Sequence, residues 1–246
     1  MSAAAPVALV TGSSSGIGEA VARRLAEDGY RVAVNSSRSV EEGEKLAASL
    51  PDALYVRADV SAETEARELV SRVVEHYGRL DVLVNSAGRT RAIAHPDLEA
   101  AGPDVWRDIL DLNVIGTWQT SVAAMPHLAA NGAGAIVNVS SIAGSRTAGS
   151  SIPYAVSKAA VEHMTRLLAK AVGPAVRVNA VAPSLIETPW TAGEPFFAPI
   201  AEYVRQNAPL RRVGTPEDVA TAVRHLIDAT YTTGQIVYVD GGCHLL

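Results

Sequence analysis

Short apolar runs alternate with longer amphipathic stretches along most of the chain. Seven runs rich in Val, Ile and Ala stand out: Val7–Thr11, Arg31–Asn35, Ala53–Arg57, Val82–Asn85, Ala135–Val139, Val176–Ala182 and Ile236–Val239. They are apolar on both faces, the pattern of strands buried within a parallel sheet. The stretches between them carry helical period. Glu19–Asp28 brings Ala20, Val21 and Leu25 together and stops at Gly29, a residue suited to a helix C-terminus. Ser39 with Glu42 predicts a capping box for a helix reaching Leu50, and Ser61 predicts the start of one ending near Tyr77-Gly78. Thr215-Pro216-Glu217-Asp218 combines an N-cap, a proline at the first helical position and acid in the first turn. This alternation predicts an α/β fold: a doubly wound parallel sheet of about seven strands, helices on both faces, right-handed crossovers. No linker, repeat or low-complexity stretch divides residues 1–246, so one domain is expected.

One segment departs from the rhythm. Glu187–Leu210 holds four prolines, Trp190, and both phenylalanines of the chain, Phe196 and Phe197. Its place after a strand's carboxyl end suits a lid over a site, at about 187–210. An aromatic-packed surface hairpin of helices would look the same in sequence.

Composition narrows the function. Hydrophobic residues make up 48% of the chain, enough for a sizeable core. The net charge is −5, from 21 basic and 26 acidic residues without a basic run, which argues against nucleic acid as a partner. One cysteine, Cys243, excludes an internal disulfide framework and suits a reducing, cytoplasmic setting. Met1–Pro6 does not read as a signal peptide, and no apolar run is long enough to span a bilayer, so no membrane association is expected. No metal is expected either.

The chemistry begins where the first strand meets Thr11-Gly12-Ser13-Ser14-Ser15-Gly16-Ile17-Gly18 and then a helix. Glycines here permit a tight turn and let the backbone approach a pyrophosphate at a helix N-terminus. The end of the second strand bears on which dinucleotide binds. An acid there would hold the ribose hydroxyls of NAD; the residues are Asn35-Ser36-Ser37-Arg38 instead. The missing acid, with Arg38, Ser36 and Ser37 available to a 2′-phosphate, favours NADP(H) over NAD(H). A lone Arg38 is also consistent with a solvated surface charge.

Tyr154 and Lys158 stand four apart on a predicted helix and share one face. A lysine ammonium one turn away is expected to lower the phenol's ordinary pKa of about 10 and fit it for proton exchange with a carbonyl or alcohol oxygen. A nearby serine, Ser140 or Ser141, would hold that same oxygen.

In these motifs the chain resembles the short-chain dehydrogenase/reductase family, with a single-domain Rossmann-type fold. The resemblance spans nearly the whole sequence: the glycine loop, Asp59-Val60, Asn85-Ser-Ala-Gly88, Asn113, Ser141, Tyr154-x-x-x-Lys158, Pro183-Ser184 and Thr188. It extends to the 3-oxoacyl-acyl-carrier-protein reductases and to related carbonyl and secondary-alcohol reductases. It implies a catalytic tetrad of Asn113, Ser141, Tyr154 and Lys158, with Tyr154 as proton donor in reduction, Ser141 orienting the substrate oxygen, and Asn113 holding a water that links Lys158 to solvent. Ser141 rather than Ser140 is implied by its 13-residue distance from Tyr154. It implies cofactor contacts from Gly12, Ser14, Ser15, Gly16, Ile17, Gly18, Ser37, Arg38, Asp59, Val60, Asn85, Ala87, Gly88, Tyr154, Lys158, Pro183, Ile186 and Thr188.

Two departures bear on selectivity. Ser15 stands where many NADP-dependent relatives are basic, and Ser184 replaces a common glycine beside the nicotinamide. Arg89 and Arg91 could face an anionic substrate or be loop charges. The expected substrate is a small-molecule ketone or secondary alcohol, free or carried as a 3-oxoacyl group on an acyl carrier. A generic, even NAD-dependent, carbonyl reductase or alcohol dehydrogenase stays open, as does a non-catalytic dinucleotide sensor. Apolar excess in Asp104–Ala124 and Tyr154–Val172, with the apolar C-terminus His244-Leu245-Leu246, suits a homotetramer or homodimer, as in relatives.

Overall fold

The computed structural model describes residues 5–246. Seven strands form one parallel sheet: β1 (Val7–Thr11), β2 (Arg31–Ser36), β3 (Leu54–Arg57), β4 (Val82–Asn85), β5 (Gly134–Val139), β6 (Val176–Pro183) and β7 (Ile236–Val239). Their order is β3-β2-β1-β4-β5-β6-β7. The predicted runs are thus all strands, with ends moved by one residue in several cases. Helices α1 (Gly16–Glu27), α2 (Val40–Ser49), α3 (Glu63–Tyr77), α4 (Pro103–Leu110), α5 (Thr117–Ala130), α6 (Ile152–Val172), α7 (Ala198–Asn207) and α8 (Pro216–Asp228) fill the connections.

The two-residue period of each strand divides the core between the sheet faces. Ala8 and Val10 of β1 join Val34, Val84 and Val137 under α1 and α8, where Val21, Leu25, Val223 and Leu226 pack. Val7 and Leu9 point the other way, with Leu83, Ile136 and Val178, against Leu69 and Val73 of α3 and Leu128 of α5. Leu9, Leu83 and Ile136 are fully buried, each contributing about 2 kcal/mol of apolar transfer.

Helix ends follow the sequence unevenly. Gly29 and Gly78 take left-handed φ values of 86° and 77° after α1 and α3. Thr215 caps α8 as expected and forms with Asp218 a full capping box that was not foreseen, and Arg212 pairs with the same Asp218 carboxylate. The other two predicted caps need correction. Ser39 precedes α2 but makes no side-chain cap bond. Ser61 is not the cap of α3; Ala62 is, and the Ser61 hydroxyl donates to Asp59 Oδ1 at 2.6 Å instead.

A six-residue π turn, Asp111–Gly116, lies between α4 and α5 and was not foreseen. Such turns commonly mark functional positions, and this one carries Asn113. Among the described residues no helix is long and apolar enough to cross a membrane.

Candidate active site

β1 and β4 are neighbours whose helices leave towards opposite faces of the sheet. A crevice opens at their carboxyl ends, the switch point where open α/β sheets bind ligands. The glycine loop forms one wall. Gly12 has φ +61°, and a Cβ there would come within 2.6 Å of Ala87 Cα; one on Gly18 would meet the Gly12 carbonyl at 2.4 Å. The loop is therefore packed backbone on backbone, and no side chain fits at either position.

Side chains absent from the sequence expectations hold this loop. Asn35 Oδ1 accepts from Gly12 N–H at 3.3 Å, while its Nδ2 donates to the Val56 and Ala58 carbonyls, each at 3.1 Å. Ser13 Oγ donates to the Val10 carbonyl and accepts from Asn35 N–H. Thr11 Oγ1 accepts from Ser86 and Ala87 N–H at 3.1 and 3.2 Å, tying the loop to the end of β4. Polar residues ending apolar runs were the available signal.

A cavity of about 590 Å³ runs from this loop to the Tyr-Lys pair. Gly12, Ser15, Gly16, Ile17 and Gly18 line its first part; Ser14 lies outside the lining. Ala87, Gly88, Pro183, Ile186 and Thr188 line it further along, and Ser184 faces it too. Thr188 approaches the loop, since a Cβ on Gly16 would lie 3.3 Å from Thr188 Cγ2. The Ile186 carbonyl accepts from the Thr191 hydroxyl at 2.7 Å.

Other expected contact residues lie outside this cavity. Asn85 belongs to a buried network: its Nδ2 donates to Ser121 Oγ and Asn138 Oδ1, and its Oδ1 accepts from Thr120. Its side chain therefore braces β4 against β5 and α5, and the crevice is lined by Ser86, Ala87 and Gly88 instead. Ser37 and exposed Arg38 follow β2, and Asp59 and Val60 follow β3, on the rim beyond the loop. Val60 is buried beneath Gly116. Burial alone would raise the Asp59 carboxyl; hydrogen bonds from Ser61, with Arg89 and Arg38 nearby, bring it below the ordinary value.

At the far end, Ser141, Tyr154 and Lys158 face the cavity together. Ser141 follows β5 and caps a short 3-10 turn, its Oγ accepting from Ala143 N–H at 3.2 Å. Ser140 points away, donating to the Lys158 carbonyl and to buried Glu162, so Ser141 is the serine at the site. Tyr154 lies in the first turn of α6, capped by Ser151. Lys158 Nζ donates to the Val139 carbonyl at 2.8 Å and sits 5.6 Å from the centre of the Tyr154 ring.

Asn113 stands just behind this group. A Cβ on Gly88 would lie 3.4 Å from Asn113 Oδ1 and 3.7 Å from Lys158 Nζ. The Asn113 amide clamps Arg89, accepting from its N–H at 2.8 Å and donating to its carbonyl at 3.0 Å, and also donates to Ser157 Oγ. Its main-chain carbonyl accepts from Thr117 Oγ1. Arg89 itself pairs with Asp108, which Arg91 also approaches at 4.0 Å. Asp108 thus neutralises Arg89, while Arg91 stays largely exposed.

The electrostatics correct one expectation. Lys158 was expected to lower the Tyr154 pKa. Burial instead pushes the phenol up to about 12, with the Ser141 hydroxyl offsetting part of the rise. Burial likewise pushes Lys158 down to about 8. The ammonium is held by a carbonyl over the ring face, and desolvation of both groups outweighs their attraction.

The remaining walls are apolar. Trp190 stands edge-on to Tyr154, ring centres 6.2 Å apart, and Phe196, Phe197 and Ile200 continue the surface. The 187–210 segment thus walls the site on one side.

The crevice fits a dinucleotide. The cavity begins at the glycine loop, and Ser15, at the N-cap of α1, spends no side-chain bond on the helix. Unspent N–H groups at a helix start, beside a hydroxyl, suit a pyrophosphate.

Similarity to known proteins runs along nearly the whole chain. A family model described as "Enoyl-(Acyl carrier protein) reductase" matches residues 12–244. The chain is 75% identical over 242 residues to "Granaticin polyketide synthase putative ketoacyl reductase 2" of Streptomyces violaceoruber, covering 98% of this chain and 97% of that one. It is 37% identical over 243 residues to a 3-oxoacyl-acyl-carrier-protein reductase of Thermotoga maritima, covering 96% of each. The solved structure of ligand-free aldohexose dehydrogenase from Thermoplasma acidophilum superposes with a TM-score of 0.86 at 30% identity, over 98% of this chain and 95% of that one.

Lys158 gives a measurable test. Its folded pKa of about 8 lies below the ordinary 10.5. Between those values the unfolded chain holds a proton the folded chain has lost, so this group adds stability as pH rises through that window. In NMR of ¹⁵N-lysine-labelled, cofactor-free protein, one ammonium should titrate near pH 8, and its signal should vanish in Lys158→Met. A lysine spectrum without a transition below about pH 9 contradicts the burial argument.

Proposed function

The chain belongs to the short-chain dehydrogenase/reductase family, and on that footing we propose that Ser141, Tyr154, Lys158 and Asn113 are its working tetrad in NADPH-dependent reduction of a 3-oxoacyl ketone. It is an oxidoreductase of the ketone-reducing kind that works with a nicotinamide cofactor. The supporting observation is the meeting of the Ser141 and Tyr154 hydroxyls at one end of an apolar cavity whose other end is the glycine loop.

When bound, the dinucleotide supplies the hydride. The protein positions the reactants and moves the proton. Gly12, Ser15, Gly16, Ile17 and Gly18 would hold the pyrophosphate, and Ala87, Gly88, Pro183, Ile186 and Thr188 would receive the nicotinamide half. Ser141 Oγ donates to the substrate oxygen. Tyr154, protonated at any working pH because its pKa lies near 12, gives its proton to that oxygen as negative charge develops there. Lys158, mostly charged at neutral pH, stabilises the phenolate left behind. Asn113 keeps the Gly88–Arg89 turn against Lys158.

Two hydroxyls converging on one oxygen serve carbonyl reduction better than reduction of a carbon–carbon double bond, which the family description names. In an assay with 3-oxooctanoyl-N-acetylcysteamine, NADPH consumption should yield the 3-hydroxyacyl product. Tyr154→Phe should lower that turnover about a hundredfold to ten-thousandfold with the cofactor dissociation constant unchanged. Wild-type turnover in that variant would refute the role.

The cofactor preference rests on Arg38. Its exposed guanidinium follows the end of β2 with no side-chain hydrogen bond or ion pair to a described residue, and no acid occupies that strand end, Asp59 at the end of β3 being the nearby carboxylate. Arg38→Ala should raise the NADPH KM about tenfold, the scale of one charge-assisted bond, and leave the NADH KM within about twofold. Equal change for both cofactors would remove Arg38 from the 2′-phosphate site.

The enzyme is further read as an oligomer. Exposed Ile115 and Trp118, with Val156 and Leu167 on α6, offer one apolar surface; Tyr238, Leu245 and Leu246 offer another. Two surfaces suit a tetramer built as a dimer of dimers. Light scattering at micromolar concentration should find a tetramer or dimer; a monomer would refute the reading.

A further inference from the structure

The cavity extends past the reacting groups to a wall built by the loop after β4 and by residues 147–150. That wall is firmly placed. Ile93 N–H donates to the Ser150 carbonyl at 2.8 Å, and the Thr90 and Ser150 hydroxyls bond each other at 2.6 Å. Asn113 fastens the loop's origin at Arg89. Those hydroxyls are therefore committed to the loop itself, and Ile93, Ala148, Trp190, Phe196 and Ile200 around them are apolar.

His95 is different. Its imidazole lines the same cavity, yet its Nε2 is sealed from solvent with no hydrogen-bond partner among the described residues. Arg31 Nε and Gln119 Oε1 are also buried without partners, but neither residue lines the cavity. A buried ring nitrogen without a partner is costly to keep. Rotation about the broad χ2 torsion exchanges the ring's sealed edge for the edge facing the cavity. A neutral imidazole donates from one nitrogen and accepts at the other, so it can serve a carbonyl or a hydroxyl.

We propose that His95 is a specificity-determining residue whose imidazole hydrogen-bonds a second oxygen of the substrate, remote from the carbonyl that reacts. The site thereby selects polyoxygenated ketones over simple ones of the same shape. This rests on the carbonyl-reductase reading above and adds to it the substrate's second polar point. At this largely apolar wall Thr147 is exposed to water, whereas the His95 ring nitrogen is buried without a partner, so a ligand lacking the matching oxygen leaves that nitrogen unpaired.

The test uses 1-tetralone and its 5-, 6- and 7-hydroxy derivatives, which share one ring frame and differ by one oxygen. For wild type, His95→Leu and His95→Gln, kcat/KM with NADPH and ligand dissociation constants by calorimetry are measured on the full chain. Wild type should favour at least one hydroxytetralone over 1-tetralone. In His95→Leu that preference should fall about 10- to 100-fold, while His95→Gln, which keeps a hydrogen-bonding amide, should retain most of it. A preference unchanged in His95→Leu, or lost equally in His95→Gln, overturns the proposal. An equal loss on all four ketones shows a structural role and overturns it too. If wild type reduces none of the four, the carbonyl-reductase reading fails for this class, and the dissociation constants still decide the role of His95.

Discussion

The Thr11 hydroxyl accepts two amides, those of Ser86 and Ala87, at the point where β1 and β4 part. The rest of the site depends on that junction. The two strands are paired to their ends, Thr11 opposite Asn85, and their chains then diverge to opposite faces. Without the hydroxyl, two amides would sit unpaired in a half-buried crevice, at about 1–3 kcal/mol each. With it, Ala87 lies close enough to Gly12 that backbone meets backbone. The glycines are thus consequences of the clamp: once the strands' ends are drawn together, no Cβ has room.

Desolvation then sets the chemistry. The walls that shield the cavity also take Tyr154 and Lys158 out of water, raising the phenol's pKa and depressing the ammonium's. A phenol held protonated near 12 is a dependable donor but a reluctant one. In the proposed reaction its proton would become easier to give only as negative charge grows on the substrate oxygen, with Ser141 sharing that oxygen and Lys158 charged beneath the ring. On the proposed reading this interaction is stronger in the transition state than with the bound ketone, which is what accelerates a reaction.

The strands were legible because burial on both faces leaves no polar alternation, and β1 to β7 read directly as apolar runs. That Ser141, Tyr154 and Lys158 meet at one cavity was legible because their spacing is set by a helix and a strand end. Caps were less so: Ser39 and Ser61 have the right side chains, but Asp59 takes the Ser61 hydroxyl, and local competition of that kind leaves no trace in spacing. The π turn at Asp111–Gly116 was invisible because an i→i+5 step has no residue signature. Asn85 read as a crevice residue because its neighbours are; only the fold shows its amide engaged by Ser121 and Asn138. Asn35 was noticed for not being acidic, whereas its positive task is to hold Gly12 and β3 together.

The lysine effect was misjudged for an instructive reason. Sequence spacing supplies distance along a helix and says nothing of dielectric. Four residues apart predicts an attraction; burial of both partners decides its net sign. The same reasoning separates the two ends of the cavity. The reacting end is built from helix α6 and the end of β5, where geometry is set by regular hydrogen bonding. The distal end is built from loops whose shape depends on side-chain contacts such as Thr90 with Ser150. The tyrosine–lysine end therefore follows from short, rigid spacings, and the distal wall from contacts between segments 60 residues apart in sequence, so the second emerges only once the chain is folded.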